Sequence, residues 1–242
     1  VGFHREWSAE GTIALTRVED PSAYGLVPTA PDGRVRRFVE KPLPEELVTA
    51  EINAGTYVLE PSVLDRIPVG GPVSIEREVF PAMAEKGSLF AAGFDTYWID
   101  TGTPAKYLQA HLDLLDGRRP PPPAPGAHLV EGNVWVLGDA VIDGDVHGPA
   151  LVGSAAYVHA GARVERSVVG SGARVAAGAL VRNSVLLPGS SVHAGAVVDG
   201  SIVGEGAVVG EAARLSGLTV VGGGIEVDAG ARMHGEKLPL GG

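Results

Sequence analysis

The 242-residue chain contains no cysteine, which excludes disulfide bonds and thiolate metal sites. It has no basic patch either, and its formal net charge is −10, so binding to nucleic acid or to an anionic membrane is not expected. No apolar run is long enough to span a bilayer, and no signal peptide is visible. The cellular compartment stays open, and the cytoplasm is the default expectation.

Glycine and proline signals divide the first hundred residues into short strands. A strand is predicted over residues 11–18, and Asp32-Gly33 marks a turn between residues 24–29 and residues 34–41. Pro42 cannot donate to a sheet, so the last of these strands should end at Lys41. This places Glu40 and Lys41 at the carboxyl edge of a strand, where open α/β sheets bind ligands. A solvated ion pair is the alternative reading.

Two further positions on the predicted strands admit both a structural and a functional reading. Gly25 is either a bulge glycine, which its spacing favours, or a point where a ligand meets bare backbone. Asn53 opens a predicted central strand at residues 52–59, and it is either a turn residue or a side chain directed into a pocket.

Helix signals complete this part of the chain. Ser74 is a candidate N-cap followed by glutamates, and Thr103 with Pro104 opens a second helix that should end near Gly117. Asp100 precedes that helix on a loop. Its carboxylate either caps the turn or serves as an oxygen ligand for Mg²⁺.

The ordered set of these motifs resembles the sugar-nucleotide pyrophosphorylases, a nucleotidyltransferase family, and most closely their mannose-1-phosphate guanylyltransferase branch. The resemblance covers residues 3–117. The motifs that carry it are Tyr24-Gly25, Phe38-Val39-Glu40-Lys41-Pro42, Asn53-Ala54-Gly55-Thr56-Tyr57, Ser74-Ile75-Glu76-Arg77-Glu78-Val79-Phe80-Pro81 and Trp98-Ile99-Asp100-Thr101-Gly102-Thr103-Pro104.

The resemblance implies an α/β, Rossmann-like nucleotidyltransferase domain whose substrates are a sugar 1-phosphate and a nucleoside triphosphate. Gly25 and Asn53 would contact the sugar, Glu40 would accept hydrogen bonds from its hydroxyls, and Lys41 would neutralise its phosphate. Asp100 would help to hold Mg²⁺. The family reaction joins the sugar 1-phosphate to the nucleotide α-phosphate and expels pyrophosphate, and in this branch the resemblance implies that GDP-mannose is formed from GTP.

One departure from the family pattern is large. The family begins with a glycine-rich G-x-G-T-R-L loop and a second metal-binding aspartate, and no such loop occurs in this chain, which starts at Val1. We therefore expect an incomplete domain in which the N-terminal nucleotide-binding part is missing, and we expect this chain alone to be inactive.

A proline-rich segment at residues 118–128 predicts a stiff linker between two domains. The predicted division is a sugar-phosphate-binding half at residues 1–117, the linker, a repeat domain at residues 129–236 and a tail at residues 237–242.

The repeat domain follows a 17-residue lattice, on which Val152, Val169 and Val203 fall at multiples of the period. Aliphatic residues recur within each period at steps of five or six, and glycine or alanine follows at the corners, which predicts triangular coils. The pattern resembles the hexapeptide-repeat left-handed parallel β-helix, an all-β fold, with about six coils. We expect this domain to form a homo-oligomer, because an exposed terminal coil offers unpaired backbone groups; the alternative is that the C-terminal tail, residues 235–242, folds over the last coil.

The β-helix also allows two other functions, a hexapeptide acyltransferase and a non-catalytic regulatory paralogue that binds sugar nucleotides. His159 and His193 share a lattice position but lie two coils apart, nearly 10 Å at ~4.8 Å per coil, which is too far for two ligands of one zinc ion. His147 and His234 do not join that lattice position. We expect all four histidines to be surface residues.

Overall fold

The computed structural model describes residues 1–239, and it divides into two compact units, Val1–Trp98 and Ile99–Gly242. The first unit is built on one mixed sheet, and the second on a parallel β-helix. No helix within residues 1–239 is long and apolar enough to cross a membrane.

The sheet of the first unit has the strand order β3-β2-β4-β1-β5. Strand β1 pairs in parallel with β5, whereas the other neighbours are antiparallel. The longest strand, β4, occupies the centre, as its apolar sequence predicted. The strands are β1 (Gly11–Arg17), β2 (Gly25–Leu26), β3 (Val39–Glu40), β4 (Glu51–Leu59) and β5 (Leu89–Gly93).

Short helices connect these strands. The predicted helix start at Ser74 is confirmed, because the Ser74 hydroxyl accepts a hydrogen bond from the Arg77 N–H at 3.2 Å. The core of the unit lies where the next helix, led by Phe80 and Met83, covers Ile13 and Leu15 of β1. The helices are α1 (Gly2–Glu6), α2 (Phe80–Glu85), a π-helical turn at Ile75–Val79, and 3₁₀ turns at Pro44–Glu46 and Pro61–Arg66.

The strand predicted at residues 34–41 is shorter in the structure, and this prediction was wrong in extent. Only β3 is regular, while Val35 and Arg34 make isolated bridges to Thr29 and Phe90. Lys41 has a left-handed backbone with φ +51°, which ends the strand one residue before the predicted position. The strand therefore ends at Glu40, two residues before Pro42.

The second unit begins with α3 (Pro104–Leu115), and its caps are those that the sequence predicted. The Thr103 hydroxyl accepts from the Lys106 N–H at 3.3 Å, and Gly117 ends the helix with φ +78°. Leu108, Leu112 and Leu115 pack against the β-helix, where they meet residues such as Val185 and Ile202.

Three sheets form the sides of the β-helix. The first contains β6 (His128–Val130), β7 (Val134–Val136), β10 (Ala150–Val152), β13 (Val168–Val169), β16 (Val185–Leu186), β19 (Ile202–Val203), β22 (Val220–Val221) and β25 (Lys237–Leu238). The second contains β8 (Val141–Ile142), β11 (Tyr157–Val158), β14 (Arg174–Val175), β17 (Ser191–Val192), β20 (Val208–Val209) and β23 (Glu226–Val227). The third contains β9 (Asp145–His147), β12 (Arg163–Glu165), β15 (Leu180–Arg182), β18 (Val197–Asp199), β21 (Arg214–Ser216) and β24 (Arg232–His234).

Paired residues in neighbouring coils confirm the 17-residue period over most of the β-helix, as in the Val152–Val169 pair. Between β19 and β22 the spacing becomes 18, because Val203 pairs with Val221. The extra residue falls at a corner where Gly217 and Leu218 both have positive φ, +62° and +65°. The parallel β-helix is therefore confirmed, with this insertion and with further irregularities in its first coil, where Val136 pairs with Val152 at a spacing of 16 and Val146 pairs with Val164 at a spacing of 18. Its left-handed sense stays a prediction.

A ladder of buried serines fills one corner of three successive coils. Ser167, Ser184 and Ser201 are each fully buried. The Ser184 N–H donates to the Ser167 hydroxyl at 3.1 Å, and the Ser201 N–H donates to the Ser184 hydroxyl at 3.0 Å. Each hydroxyl also donates to a carbonyl two residues back. The ladder satisfies polar groups that would otherwise be orphaned inside the coil.

The division into compact units at residues 98 and 99 differs from the predicted linker at residues 118–128, because α3 packs on the β-helix. The β-helix also extends past the predicted bounds: β6 starts at His128, and β25 pairs with β22 inside the predicted tail. The remaining tail residues 240–242 lie outside the described residues. The predicted division into domains stays a prediction.

Candidate functional site

Three of the predicted site residues lie in one row across the mixed sheet of the first unit. Gly25 of β2 pairs with Glu40 of β3, and the Leu26–Ile52 pair puts Gly25 level with Asn53 of β4. Residues opposite each other in antiparallel strands share a face of the sheet. Three separate motifs therefore converge on one face at β3, β2 and β4.

Gly25 is required by its close neighbours. A Cβ at this position would lie 2.7 Å from the Phe38 ring and 3.0 Å from Glu40 Oε2. The bulge that the spacing favoured does not form, since β2 pairs with both neighbours without a shift in register. Gly25 instead leaves space for the side chains of β3 to lie across β2.

Asn53 is 8% exposed, and its amide group is held by three hydrogen bonds within the protein. Its Nδ2 donates to the Tyr57 hydroxyl and to Glu76 Oε1, both at 2.8 Å, and its Oδ1 accepts from the Gly55 N–H at 2.9 Å. Both amide hydrogens are therefore committed, and only Oδ1 has a lone pair left for a ligand. Asn53 therefore fixes the positions of Tyr57 and Glu76, and its contact with a substrate would have to be made through Oδ1.

Glu76 and Tyr57 join the site, although the sequence did not assign them to it. The Tyr57 hydroxyl donates to Glu76 Oε1 at 3.3 Å, and it also accepts the bond from Asn53. The described hydrogen bonds to Glu76 thus use Oε1 alone. The sequence carried a weak signal for this arrangement, because Tyr57 lies four residues after Asn53 and so shares its face of β4. Glu76 had been assigned only to the first turn of a helix.

The two carboxylates of the site influence each other. Partial burial, together with the negative charge of Glu76, raises the pKa of Glu40 above its ordinary value. The positive charges of Lys41 and Arg77 oppose this rise but do not cancel it. Burial is also the main reason why the pKa of Tyr57 is raised, which keeps its hydroxyl protonated as a donor.

Lys41 stands at the end of β3 as an exposed side chain on a left-handed backbone. A lysine in this region of φ and ψ is strained, and such strain persists where the surroundings impose it. The conformation turns the chain away from the sheet directly after Glu40. Where the Lys41 ammonium meets a substrate stays a prediction.

Two aromatic side chains flank the strand that carries Asn53. Trp98 Nε1 donates to the Ala54 carbonyl at 3.1 Å, and the Tyr24 ring meets the Trp98 ring edge-on at 5.6 Å between centroids. Sequence reasoning included both residues in motifs but gave them no role. They fix the edge of the segment that follows Asn53.

A cleft of about 460 Å³ continues the row on the other side of Asn53. Leu15 of β1 pairs with Asn53 and with Gly93 of β5, and both Leu15 and Gly93 line the cleft. The other lining residues are Thr16, Arg17, Glu51, Phe94, Asp95 and Thr96. Motif reasoning did not find this cleft, because its residues belong to none of the recognised motifs.

Asp100 belongs to the second unit, where its exposed carboxylate stabilises a turn. Its Oδ1 accepts a hydrogen bond from the Gly102 N–H at 2.9 Å, as the structural reading of this aspartate predicted. Within residues 1–239 no group of three or more His, Asp or Glu side chains could hold a metal ion. A single carboxylate still suits Mg²⁺, which takes one or two carboxylates and completes its shell with water and substrate phosphates.

The histidines of the β-helix make local contacts. The His159 ring lies against Tyr157, with 3.9 Å between centroids, and His234 Nδ1 is 3.1 Å from the Ser216 hydroxyl. Tyr157 in turn donates to Asp143 at 2.6 Å. The Tyr157–Asp143 and Ser216–His234 contacts connect neighbouring coils of the β-helix, whereas the His159–Tyr157 contact lies within one coil.

Two family models match the chain. Residues 1–117 match the model described as Nucleotidyl transferase, and residues 146–239 match the model described as the GMPPB C-terminal domain. The first 117 residues are thus similar to the nucleotidyl transferase family. The nucleotidyltransferase domain therefore contains the whole row of candidate residues on the sheet, and Asp100 as well.

The chain is also similar to curated relatives. The chain is 43% identical over 172 residues to "Probable mannose-1-phosphate guanylyltransferase 1" of Oryza sativa subsp. japonica, covering 69% of this chain and 46% of the relative. It is 39% identical over 182 residues to "Mannose-1-phosphate guanylyltransferase" of Mycobacterium tuberculosis, covering 68% and 50%. It is 46% identical over 145 residues to "Mannose-1-phosphate guanylyltransferase catalytic subunit beta" of Drosophila pseudoobscura pseudoobscura, covering 59% and 38%. The chain thus spans half the length of these relatives or less.

The expectation that the N-terminal part of the domain is missing is not borne out. The match to the nucleotidyltransferase family begins at residue 1, so the chain has an N-terminal nucleotidyltransferase domain. The expectation rested on one absent loop motif. The expectation of an inactive chain rested on the same absence, and only an activity assay of the chain tests it.

Proposed function

We propose that this protein transfers a nucleotidyl group to a sugar 1-phosphate, with GTP and mannose 1-phosphate as its substrates and GDP-mannose and pyrophosphate as its products. The observation that carries the proposal is the convergence of Gly25, Glu40 and Asn53 in a domain of the nucleotidyl transferase family. The names of the relatives support guanylyl transfer to mannose 1-phosphate.

The chemistry needs positioning and charge neutralisation more than it needs a protein nucleophile. An oxygen of the sugar 1-phosphate attacks the α-phosphorus of the nucleotide; a new P–O bond forms, and the bond to the β-phosphate oxygen breaks as pyrophosphate leaves with the electron pair. Glu40 accepts hydrogen bonds from sugar hydroxyls and so orients the sugar. Lys41 places a positive charge beside the sugar phosphate. Asn53 holds the wall of the pocket in place.

A divalent metal belongs to this proposal, with Asp100 as one of its ligands. Asp100 Oδ1 accepts from Gly102, which leaves Oδ2 to face a cation. When bound, Mg²⁺ neutralises phosphate charge.

We also propose that the β-helix makes the protein a homo-oligomer. Strand β6 forms one edge of the eight-stranded sheet of the β-helix. It carries exposed apolar side chains, with Leu129 54% and Val130 41% exposed. Val141, in the first strand of the second sheet, is 48% exposed. An edge strand with apolar side chains is a ready pairing surface, and a second copy of the chain would cover it.

The deciding experiment incubates the protein with GTP, mannose 1-phosphate and Mg²⁺, and measures pyrophosphate release and GDP-mannose. Release that requires all three components is the expected result. The same protein with ATP, CTP or UTP, and with glucose 1-phosphate, shows whether base and sugar are selected as proposed. No turnover with any pair of nucleotide and sugar phosphate would contradict nucleotidyl transfer.

A further inference from the structure

The proposed sugar pocket is formed by Glu40, Asn53, Tyr57 and Glu76. These four side chains have more free hydrogen-bond acceptors than free donors. Neither Glu40 oxygen has a hydrogen-bond partner within residues 1–239, and the bonds to Glu76 all reach Oε1. Both amide hydrogens of Asn53 and the hydroxyl hydrogen of Tyr57 are spent inside the site. A ligand group that reaches these carboxylate oxygens must therefore bring the hydrogens itself, whereas its phosphate is left to Lys41.

The acceptors also carry negative charge. Strand β3 and the π-helical turn bring Glu40 and Glu76 close enough for one charge to act on the other. Asn53, which is buried on β4, fixes Glu76 by a 2.8 Å hydrogen bond, so the second carboxylate is held and not merely nearby. Lys41 and Arg77 also act on Glu40 and oppose the effect of Glu76 on it.

We propose that Glu76 is a specificity-determining residue: with Glu40 it makes the pocket select sugar 1-phosphates that present hydroxyl or ammonium groups and reject those that present a carboxylate. The inference rests on the proposed function of the same site. A hydroxyl or an ammonium donates to the free oxygens of Glu40 and to Glu76 Oε2. A uronic acid has a carboxylate in place of one hydroxyl, so it brings a negative charge in addition to those of Glu40 and Glu76 and one donor fewer.

The test uses three ligands with the same ring stereochemistry: mannose 1-phosphate, 2-amino-2-deoxymannose 1-phosphate and mannuronic acid 1-phosphate. Their affinities are measured calorimetrically, without nucleotide, for the wild type and for Glu76→Gln. In the wild type the amino sugar is expected to bind at least as tightly as mannose 1-phosphate, and the uronic acid at least tenfold more weakly. Glu76→Gln is expected to reduce the ratio of amino-sugar to uronic-acid affinity by about tenfold, because one of the two charges is gone.

Two further variants separate charge from structure. Glu76→Asp keeps the charge and should keep the order of the three ligands. Glu85→Gln removes one exposed carboxylate from α2 and should leave the ratio unchanged. If the wild type binds mannose 1-phosphate but Glu76→Gln leaves the ratio as it was, the inference is wrong and the proposed function stands. If the wild type binds none of the three ligands, the proposed function fails, and this inference fails with it.

Discussion

Lys41 combines a strained backbone with a charge, and the two can be tested separately. Its φ of +51° is a conformation that glycine adopts freely, so Lys41→Gly should fold at least as stably as the wild type. The same substitution removes the ammonium group that we assign to the sugar phosphate. We expect the KM for sugar 1-phosphate to rise roughly ten- to a hundredfold, or about 1.5–3 kcal/mol, while the KM for the nucleotide changes little. Lys86→Gly, outside the site, tests loss of charge alone, and equal kinetics for Lys41→Gly and wild type would remove Lys41 from the site.

Glu40 offers a prediction that needs no ligand. Its pKa is raised by burial first and by Glu76 second, so Glu76→Gln should lower it. Folding favours the protonated form of a group whose pKa is raised, so the contribution of Glu40 to stability is present at low pH and is lost as pH rises through its folded pKa. NMR titration of the Glu40 carboxyl carbon measures the midpoint. A lower midpoint in Glu76→Gln, and an unchanged one in Glu85→Gln, is the expected pair of results; an unmoved midpoint in both would show that the carboxylates are independent.

Asp100 can be tested by an isosteric change. Asp100→Asn retains an oxygen that can accept from the Gly102 N–H, so the turn should survive while the negative charge is lost. If this carboxylate holds Mg²⁺, the variant should need more Mg²⁺ for half-maximal activity. A metal titration that is identical for the two proteins would leave Asp100 with its structural role alone.

For single residues, the sequence motifs identified which residues belong to the candidate site, but not which residues they contact. Gly25, Glu40 and Asn53 could be found because each lies in a recognisable motif. The bonds from Asn53 to Tyr57 and Glu76 could not, since they depend on how a helical turn 23 residues further along the chain folds back over β4. Long-range contacts of this kind leave no local pattern.

Among the elements, the corner of the β-helix built from serines makes the sharpest prediction. Ser184→Ala removes the acceptor of the Ser201 N–H and leaves that buried group without a partner. The cost should be about 1–3 kcal/mol. Hydrogen exchange at the Ser201 amide is the direct measure and should become faster by one to two orders of magnitude. Ser171→Ala, at an exposed corner, is the matched control, and equal protection of the Ser201 amide in both variants would contradict the role of the ladder.

Helices and coils were predicted correctly where the signals that define them, such as capping residues or a regular period, stand in the sequence of the element itself. Thr103, Pro104 and Gly117 predicted the start and end of α3, and the 17-residue lattice predicted the coils. The extra residue at Gly217-Leu218 could not be predicted, because the aliphatic pattern continues on both sides of it. The length of β3 was predicted wrongly for a related reason, because none of the residue types around Lys41 indicates a left-handed backbone.

For the whole molecule, the exposed start of the β-helix predicts the oligomeric state. Light scattering of the wild type at micromolar concentration should give a mass above that of one chain. Leu129→Glu combined with Val130→Glu should reduce the mass to that of a monomer, because charges on an edge strand prevent pairing. Val69→Glu, a fully exposed valine of the first unit, should change nothing. A wild type that is already monomeric would disprove the assembly role.

The regular period of the β-helix has a consequence for how its gene can change. Ser167 precedes Val168 just as Ser184 precedes Val185, so the loss of 17 codons between these points would rejoin the chain at an equivalent junction. The buried serine, the inward aliphatic and the corner glycine would each meet a residue of the same kind. Duplication of such a segment would lengthen the β-helix in the same way. Over these coils, mutations that add or remove one whole period are the insertions and deletions that this architecture tolerates best.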